Sequence, residues 1–189
     1  KLEEILAQWF STDIFFVDER GNIRNYNPAD KQREFKNPIA ASLFQSENGR
    51  QLLLKTMAQA NEKVFNGDQT CVAVPGPAGI ECMLVSRVSV DNEFLGSVHA
   101  YSFLEKPVSV EAKAKAKAWA QESGISWDPL DAALSKLRVL SDSEKKYFYE
   151  IVDLVAQEIV TFHTEISRRE ERINALNNQL GNRYSYDSM

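Results

Sequence analysis

The sequence predicts an α+β domain: a five-stranded antiparallel sheet flanked by helices, from which one long helix departs. Three observations predict it. Residues 79–104, GIECMLVSRVSVDNEFLGSVHAYSFL, hold two runs of alternating apolar and polar or small residues around Asp91-Asn92, the period of half-buried strands joined in a hairpin. Shorter strand-like runs precede this hairpin, with helical patterns between them. The last quarter of the chain repeats apolar residues every three or four positions, the rhythm of a coiled-coil seam.

Taken in order, residues 2–10 read as a short amphipathic helix with Leu2, Ile5, Leu6, Trp9 and Phe10 on one side. Ser11-Thr12-Asp13 ends it, and Ile14-Phe15-Phe16-Val17 forms the first strand. The turn DERGN, in which Gly21 and Asn22 suit positive φ, leads to a second short strand at residues 23–26. Pro28 and Pro38 restrict helix in the next stretch, where Ile39, Leu43 and Phe44 suggest one short buried turn. A longer helix runs from Asn48-Gly49 to Asn66-Gly67 with Leu52, Leu53, Met57, Ala60 and Val64 inward, and Gly67 as its stop. Residues 69–74 are the third strand, and PGPAG turns into the central hairpin.

Beyond the hairpin, Pro107 ends the strand. Residues 109–123 form an Ala-rich helix with Val110, Ala114, Ala118 and Trp119 inward, closed by Gly124. Asp128-Pro129 starts a short helix in which Asp caps and Pro occupies the first turn. Ser141 and Glu144 are spaced as a capping box for the last helix. Its stripe is Phe148, Ile151, Val155, Ile159, Phe162, Ile166, Arg169, Ile173, Leu176 and Leu180, with Arg169 the one polar member. At about 1.5 Å per residue such a helix outruns a domain of this size, so its far half needs another partner, and the same helix of a second copy fits. The expected homodimer interface is Ile151, Val155, Ile159, Phe162, Ile166, Ile173 and Leu176.

Composition narrows the function. A chain of 189 residues with 43% hydrophobic content can bury a sizeable core. A net charge of −5 without a basic stripe argues against nucleic-acid binding, and the alternating Lys113, Lys115 and Lys117 read as a solvated helix face. No secretory leader and no apolar run of about 20 residues is visible, so a cytoplasmic location with no membrane contact is expected. Two Cys and two His, all scattered, do not make a zinc site, and no cofactor is expected. His163, in FHTEI, reads as an exposed helical histidine. A Cys-His pair drawn from His99 and Cys71 or Cys82 lacks an oriented base and an oxyanion site, so the chain is not expected to be an enzyme.

The order of elements, the PGPAGIE loop, the VSRVSVDNEFLGSV hairpin, the Ala-rich helix ending at Gly124, and LRVL before the Ser-Asp-Ser-Glu cap resemble the PocR-type sensory domain, a PAS-like variant used in bacterial signalling proteins. The tail INALNNQLGNRYSYDSM is similar to the junction that precedes the AAA+ ATPase of sigma-N-dependent enhancer-binding activators, through Tyr184, Tyr186, Asp187 and Met189. No Walker A sequence occurs in the chain. The resemblance implies a PAS-like sensory domain at residues 1–142, a dimerising signalling helix at 143–181 and a linker at 182–189 into an AAA+ domain. It also implies a small organic ligand in a pocket between sheet and helices, with Phe16, Cys71, Cys82, Ser86, His99 and Tyr101 as lining candidates. Tyr101 stands where the family has a small residue, which favours the alternative of a dimerisation module with a degenerate pocket, regulated by a partner protein. A thiol redox sensor using Cys71 and Cys82 ranks third.

Overall fold

The computed structural model describes residues 4, 8–26 and 34–186, with side chains to residue 177. Leu2, Ile5, Leu6 and Pro28, and the tail residues Leu180, Tyr184, Tyr186, Asp187 and Met189 named above, fall outside the described residues or side chains. The elements are β1 (Asp13–Asp18), α1 (Pro38–Leu43), α2 (Glu47–Phe65), β2 (Cys71–Pro75), β3 (Cys82–Val90), β4 (Glu93–Phe103), α3 (Val110–Glu122), α4 (Trp127–Leu134) and α5 (Asp142–Tyr186). Four strands form one open antiparallel sheet in the order β1-β4-β3-β2.

The fifth strand expected at residues 23–26 is not part of that sheet, and Asn25 supplies the reason. Its side-chain amide accepts from Phe16 N at 2.9 Å and donates to Ile14 O at 2.8 Å, occupying the edge groups of β1 that a strand ladder would use. Backbone pairing with β1 is left to one bridge, Val17 with Ile23, and to Arg24 N donating to Phe16 O at 2.8 Å. The edge is thus capped by a side chain, which also protects it from pairing with another chain.

The central hairpin turns as its sequence predicts, with Asp91 and Asn92 both at positive φ (50° and 66°), the two-residue turn whose twist matches its strands. Next to it lies a register shift between Val88 and Ser89. Gly96, at φ +141°, sits opposite Val88, and a Cβ there would lie 2.1 Å from the Val17 carbonyl oxygen. The close approach that Gly96 permits is therefore that of β1's own backbone.

Each sheet face carries its own core. On one face Phe15, Val17, Met83, Val85 and Tyr101 pack with Leu43 of α1, Leu53 and Met57 of α2 and Leu130 of α4. On the other, Ile14, Leu84, Val88, Val98 and Ala100 pack with Phe148, Val152, Val155 and Ala156 of α5. The layers are thus helices, sheet, helix. Each fully buried large apolar side chain is worth about 1.5–3 kcal/mol, so the proximal turns of α5 are as much core as α2 is.

Caps fix the helix starts. The Asn37 side chain accepts from Ile39 N and Ala40 N, Ser46 from Gly49 N, and Ser109 from Ala112 N. Ser141 N donates to Glu144 Oε2 at 2.9 Å and Glu144 N to Ser141 Oγ at 3.3 Å, the expected capping box. Three helical expectations need correction. In α3 Trp119 packs against the core as expected, but the buried residues are Ala116 and Ala120, whereas Ala114 and Ala118 are exposed and Val110 is 82% exposed; alanines at every second position cannot select a helical face. Helix α4 starts at Trp127 behind Ser126, so Asp128 lies inside the first turn and is not the cap. Trp9 is exposed, while Phe10 stacks on Phe148 at 4.7 Å.

Candidate functional site

The six predicted pocket residues do not converge. Phe16, Cys71, Cys82 and Ser86 lie on the face covered by α5, and His99 and Tyr101 lie on the face covered by α1 and α2. The register shift between Val88 and Ser89 separates Cys71, Cys82 and Ser86 from His99 and Tyr101, whereas Phe16 is set on the α5 face by its own pairing with Val98. Val90 pairs with Glu93 at the turn; continued without a shift, that register would set Ser86 opposite Ser97 and Cys82 opposite Tyr101, on one face. The bulge moves the pairing by one residue, so that Ser86 meets Val98, His99 meets Val85 and Tyr101 meets Met83. A one-residue shift exchanges faces for every side chain beyond it.

Under α2 the result is a buried polar row. Asn61 Nδ2 donates to Asp18 O at 2.9 Å, which turns its carbonyl oxygen toward Ser97 Oγ, 2.5 Å away. The Ser97 hydroxyl gives its one proton to that oxygen, so His99 Nε2, 2.8 Å from Ser97 Oγ, must itself donate. His99 is thereby a neutral Nε2-H tautomer, and its buried Nδ1 has no hydrogen-bond partner among the described residues. Burial pushes the imidazole down to about 3, so it stays uncharged at physiological pH. Further along, Tyr101 OH lies 3.4 Å from Glu81 Oε1, which also accepts from Ala78 N at 3.2 Å. Glu81 is wholly buried; desolvation raises its carboxyl above the ordinary range, outweighing the backbone hydrogen bonds that lower it. Burial, followed by the charge and hydrogen bond of Glu81, likewise raises the Tyr101 phenol.

Asp18 behaves oppositely. Burial acts to raise it, but hydrogen bonds from Asn22 and Arg20 and the Arg24 guanidinium at 2.6 Å hold it below its usual value. Asn22 therefore serves the turn as a hydrogen-bond donor to Asp18, and only Gly21 (φ 83°) takes the positive angle. Sequence reasoning missed Asn61, Ser97 and Glu81. Asn61 was visible as a polar residue within the inward stripe of α2, and Ser97 shares the strand parity of His99, whereas nothing marked Glu81.

The buried row ends at an open cleft of ≈ 450 Å³ with Asn61 on its floor and Phe65, Phe94, Ala58, Arg20 and Glu62 around it. The Phe65 and Phe94 rings lie 5.1 Å apart. Its size is within the range of small-molecule sites.

Under α5, Ser86 Oγ donates to Asp153 Oδ1 at 3.0 Å, a polar latch between sheet and helix whose acceptor also went unnoticed in the sequence. Cys71 and Cys82 are free thiols at opposite ends of the β2–β3 pairing, Cys71 opposite Ser86 and Cys82 opposite Pro75. Four residues of strand separate them by roughly 13 Å, too far for a disulfide. Burial is the main cause that pushes the thiols up to about 12 and about 11, so neither is poised as a thiolate. Among the described residues, no three His, Cys, Asp or Glu side chains are grouped to hold a metal ion, and no helix is long and apolar enough to cross a membrane.

Helix α5 spans 45 residues, about 67 Å. Of the predicted seam, Val155 is buried and Ile151 and Ile159 are half-buried, all three in the core over the sheet. The same 3-4 rhythm here serves the chain's own sheet, so these three are intramolecular contacts. Phe162 (63%), Ile166 (55%), Ile173 (55%) and Leu176 (51%) are exposed on the distal half. His163 is exposed, as read from the sequence. Comparison of the chain with known protein families, curated proteins and solved structures finds no match.

Proposed function

We propose that this chain is a signal-sensing regulatory domain that pairs through the distal half of α5 and transmits its state along that helix to a following domain. The observation that carries the reading is the distal stripe: apolar residues at heptad spacing on a helix that has left its own core. Apolar groups so placed are stabilised by a second helix with the same spacing. The resemblance to PocR-type sensory domains and to the junction of sigma-N-dependent activators supports an output to an AAA+ ATPase in a bacterial transcriptional activator. In this reading a small organic ligand enters the cleft over Asn61 and, by biasing how the sheet and α5 pack, changes the geometry of the paired helices.

A second reading is a dimerisation module regulated by a partner protein, with no small-molecule stimulus. The complete burial of Ser86, His99 and Tyr101 favours it, because these residues leave no space where the ligand was expected.

Light scattering tests the pairing. Wild-type protein is expected at twice the chain mass of 21.4 kDa, and the double variant Ile166→Asp, Ile173→Asp at the single mass. Wild-type protein that stays at the single mass through the micromolar range overturns the proposal. A thermal-shift screen against small metabolites separates the two readings. A compound that raises Tm for wild type but not for Ala58→Trp, which fills the cleft, supports the ligand; a full screen with no shift selects the partner-regulated module.

A further inference from the structure

The distal stripe of α5 carries information about how its partner is oriented. This inference rests on the pairing proposed above and goes beyond it. With steps of four, three, four and three, Ile166 and Ile173 occupy one heptad position (a), and Phe162, Arg169 and Leu176 occupy the other (d). In parallel coils, β-branched residues at a with Leu at d, as Leu176 is here, favour two strands over three or four. Arg169 stands where the rhythm calls for an apolar side chain. Its ion pair among the described residues, Glu165 Oε2 at 3.7 Å, is intrahelical and exposed on both sides, so it accounts for little.

We propose that the occupant of this stripe is a second copy of the chain, parallel and in register, and that Arg169 of each copy pairs with Glu170 of the other. In a parallel coil the d side chain packs beside the residue that follows d on the facing helix, and that residue here is Glu170. The two-fold axis then makes two equivalent pairs. The same alignment brings Glu165 of one helix toward Glu170 of the other across the flanking positions, a like-charge contact that Arg169, lying between them, neutralises. In the parallel pair the two Arg169 side chains share one layer and turn outward to opposite Glu170 residues, whereas in an antiparallel pair the a and d layers face each other and Arg169 would sit against an apolar layer. Arg169 thus selects orientation and register at some cost in stability, as single polar seam residues do.

The test uses the whole chain, by sedimentation equilibrium and by oxidation. Arg169→Glu is expected to weaken pairing by about tenfold or more, and Arg169→Glu with Glu170→Arg to recover most of it. Recovery should shrink as salt rises. Leu176→Cys is expected to form an interchain disulfide on mild oxidation, because equal residues meet only in a parallel, unstaggered pair; wild type is the control for Cys71 and Cys82. A Leu176→Cys dimer by mass that forms no disulfide overturns the parallel register. Arg169→Glu pairing at wild-type strength, or no recovery in the charge swap, overturns the Arg169–Glu170 contact. Failure of the wild-type chain to pair at all is a separate result, which removes the proposal on which this one rests.

Discussion

The two halves of α5 share one apolar rhythm and use it differently. In the proximal half Phe148, Val152, Val155 and Ala156 are buried against β3 and β4. In the distal half Phe162, Ile166, Ile173 and Leu176 repeat similar spacings with half or more of each side chain exposed. Periodicity therefore specifies that a helix has an apolar face without specifying what covers it. The difference lies in reach: the sheet ends, and the helix does not. In the proposed function, this helix, core at one end and exposed at the other, links the packing of the domain to whatever binds the distal stripe.

The sharpest way to break this contrast is to remove one aromatic from each half. Phe148 is wedged between Phe10 (4.7 Å) and Phe103 (5.6 Å). Phe148→Ala should cost about 3–5 kcal/mol in urea unfolding, the range for aromatic truncation in a core. Phe162→Ala, measured in the Ile166→Asp, Ile173→Asp background expected to be monomeric, should stay within about 0.5 kcal/mol. Comparable losses from both would mean that the distal half has an intramolecular partner. A smaller effect is expected at the latch. Ser86→Ala leaves Asp153 with one hydrogen-bond partner fewer and should cost about 1 kcal/mol in the same assay. If pairing through α5 also changes in that variant, the sheet and the paired helices are coupled; unchanged pairing would confine Ser86 to local stability.

How much of this was legible can be traced to particular residues. The Asp91-Asn92 turn, the Ser141–Glu144 box and the overlong final helix follow from local chemistry, and all three stand in the structure. The fifth strand was not legible, because a side chain, Asn25, makes the bonds that its backbone was expected to make. The site failed for a different reason. Alternation along β4 puts His99 on one side with Ser97 and Tyr101, but relating β4 to β3 requires the register between them. One bulge beside Val88 reverses that relation, and no residue type announces it. The faces of α5 were ambiguous in the same way, since Val155 and Ile166 look equivalent until the extent of the sheet is known.

The smallest predicted effect lies on the sheet face away from α5 and serves as a control on the comparison. Glu81 is buried with its carboxyl raised above the usual range, chiefly by desolvation, and its Oε2 has no hydrogen-bond partner among the described residues. The folded state therefore retains a proton that the unfolded chain releases above about pH 4.3. Because the folded state binds more protons in that window, stability must fall as pH rises from the ordinary glutamate value toward the raised one. Glu81→Gln keeps the shape and the neutral state, so it should flatten this part of the stability profile and leave the variant relatively more stable near neutrality. Asp18 contributes with the opposite sign: its carboxyl lies below the usual value, so its share is present above about pH 4 and is lost on acidification, in wild type and variant alike. Urea midpoints measured from about pH 2 to 8 check both signs, the acid arm for Asp18 and the arm above about pH 4 for Glu81. The same variant should pair through α5 with unchanged affinity at each pH, since Glu81 touches neither half of the helix. A pH-dependent change in pairing that disappears with Glu81→Gln would instead show that the far face of the sheet reaches the distal stripe through the strands.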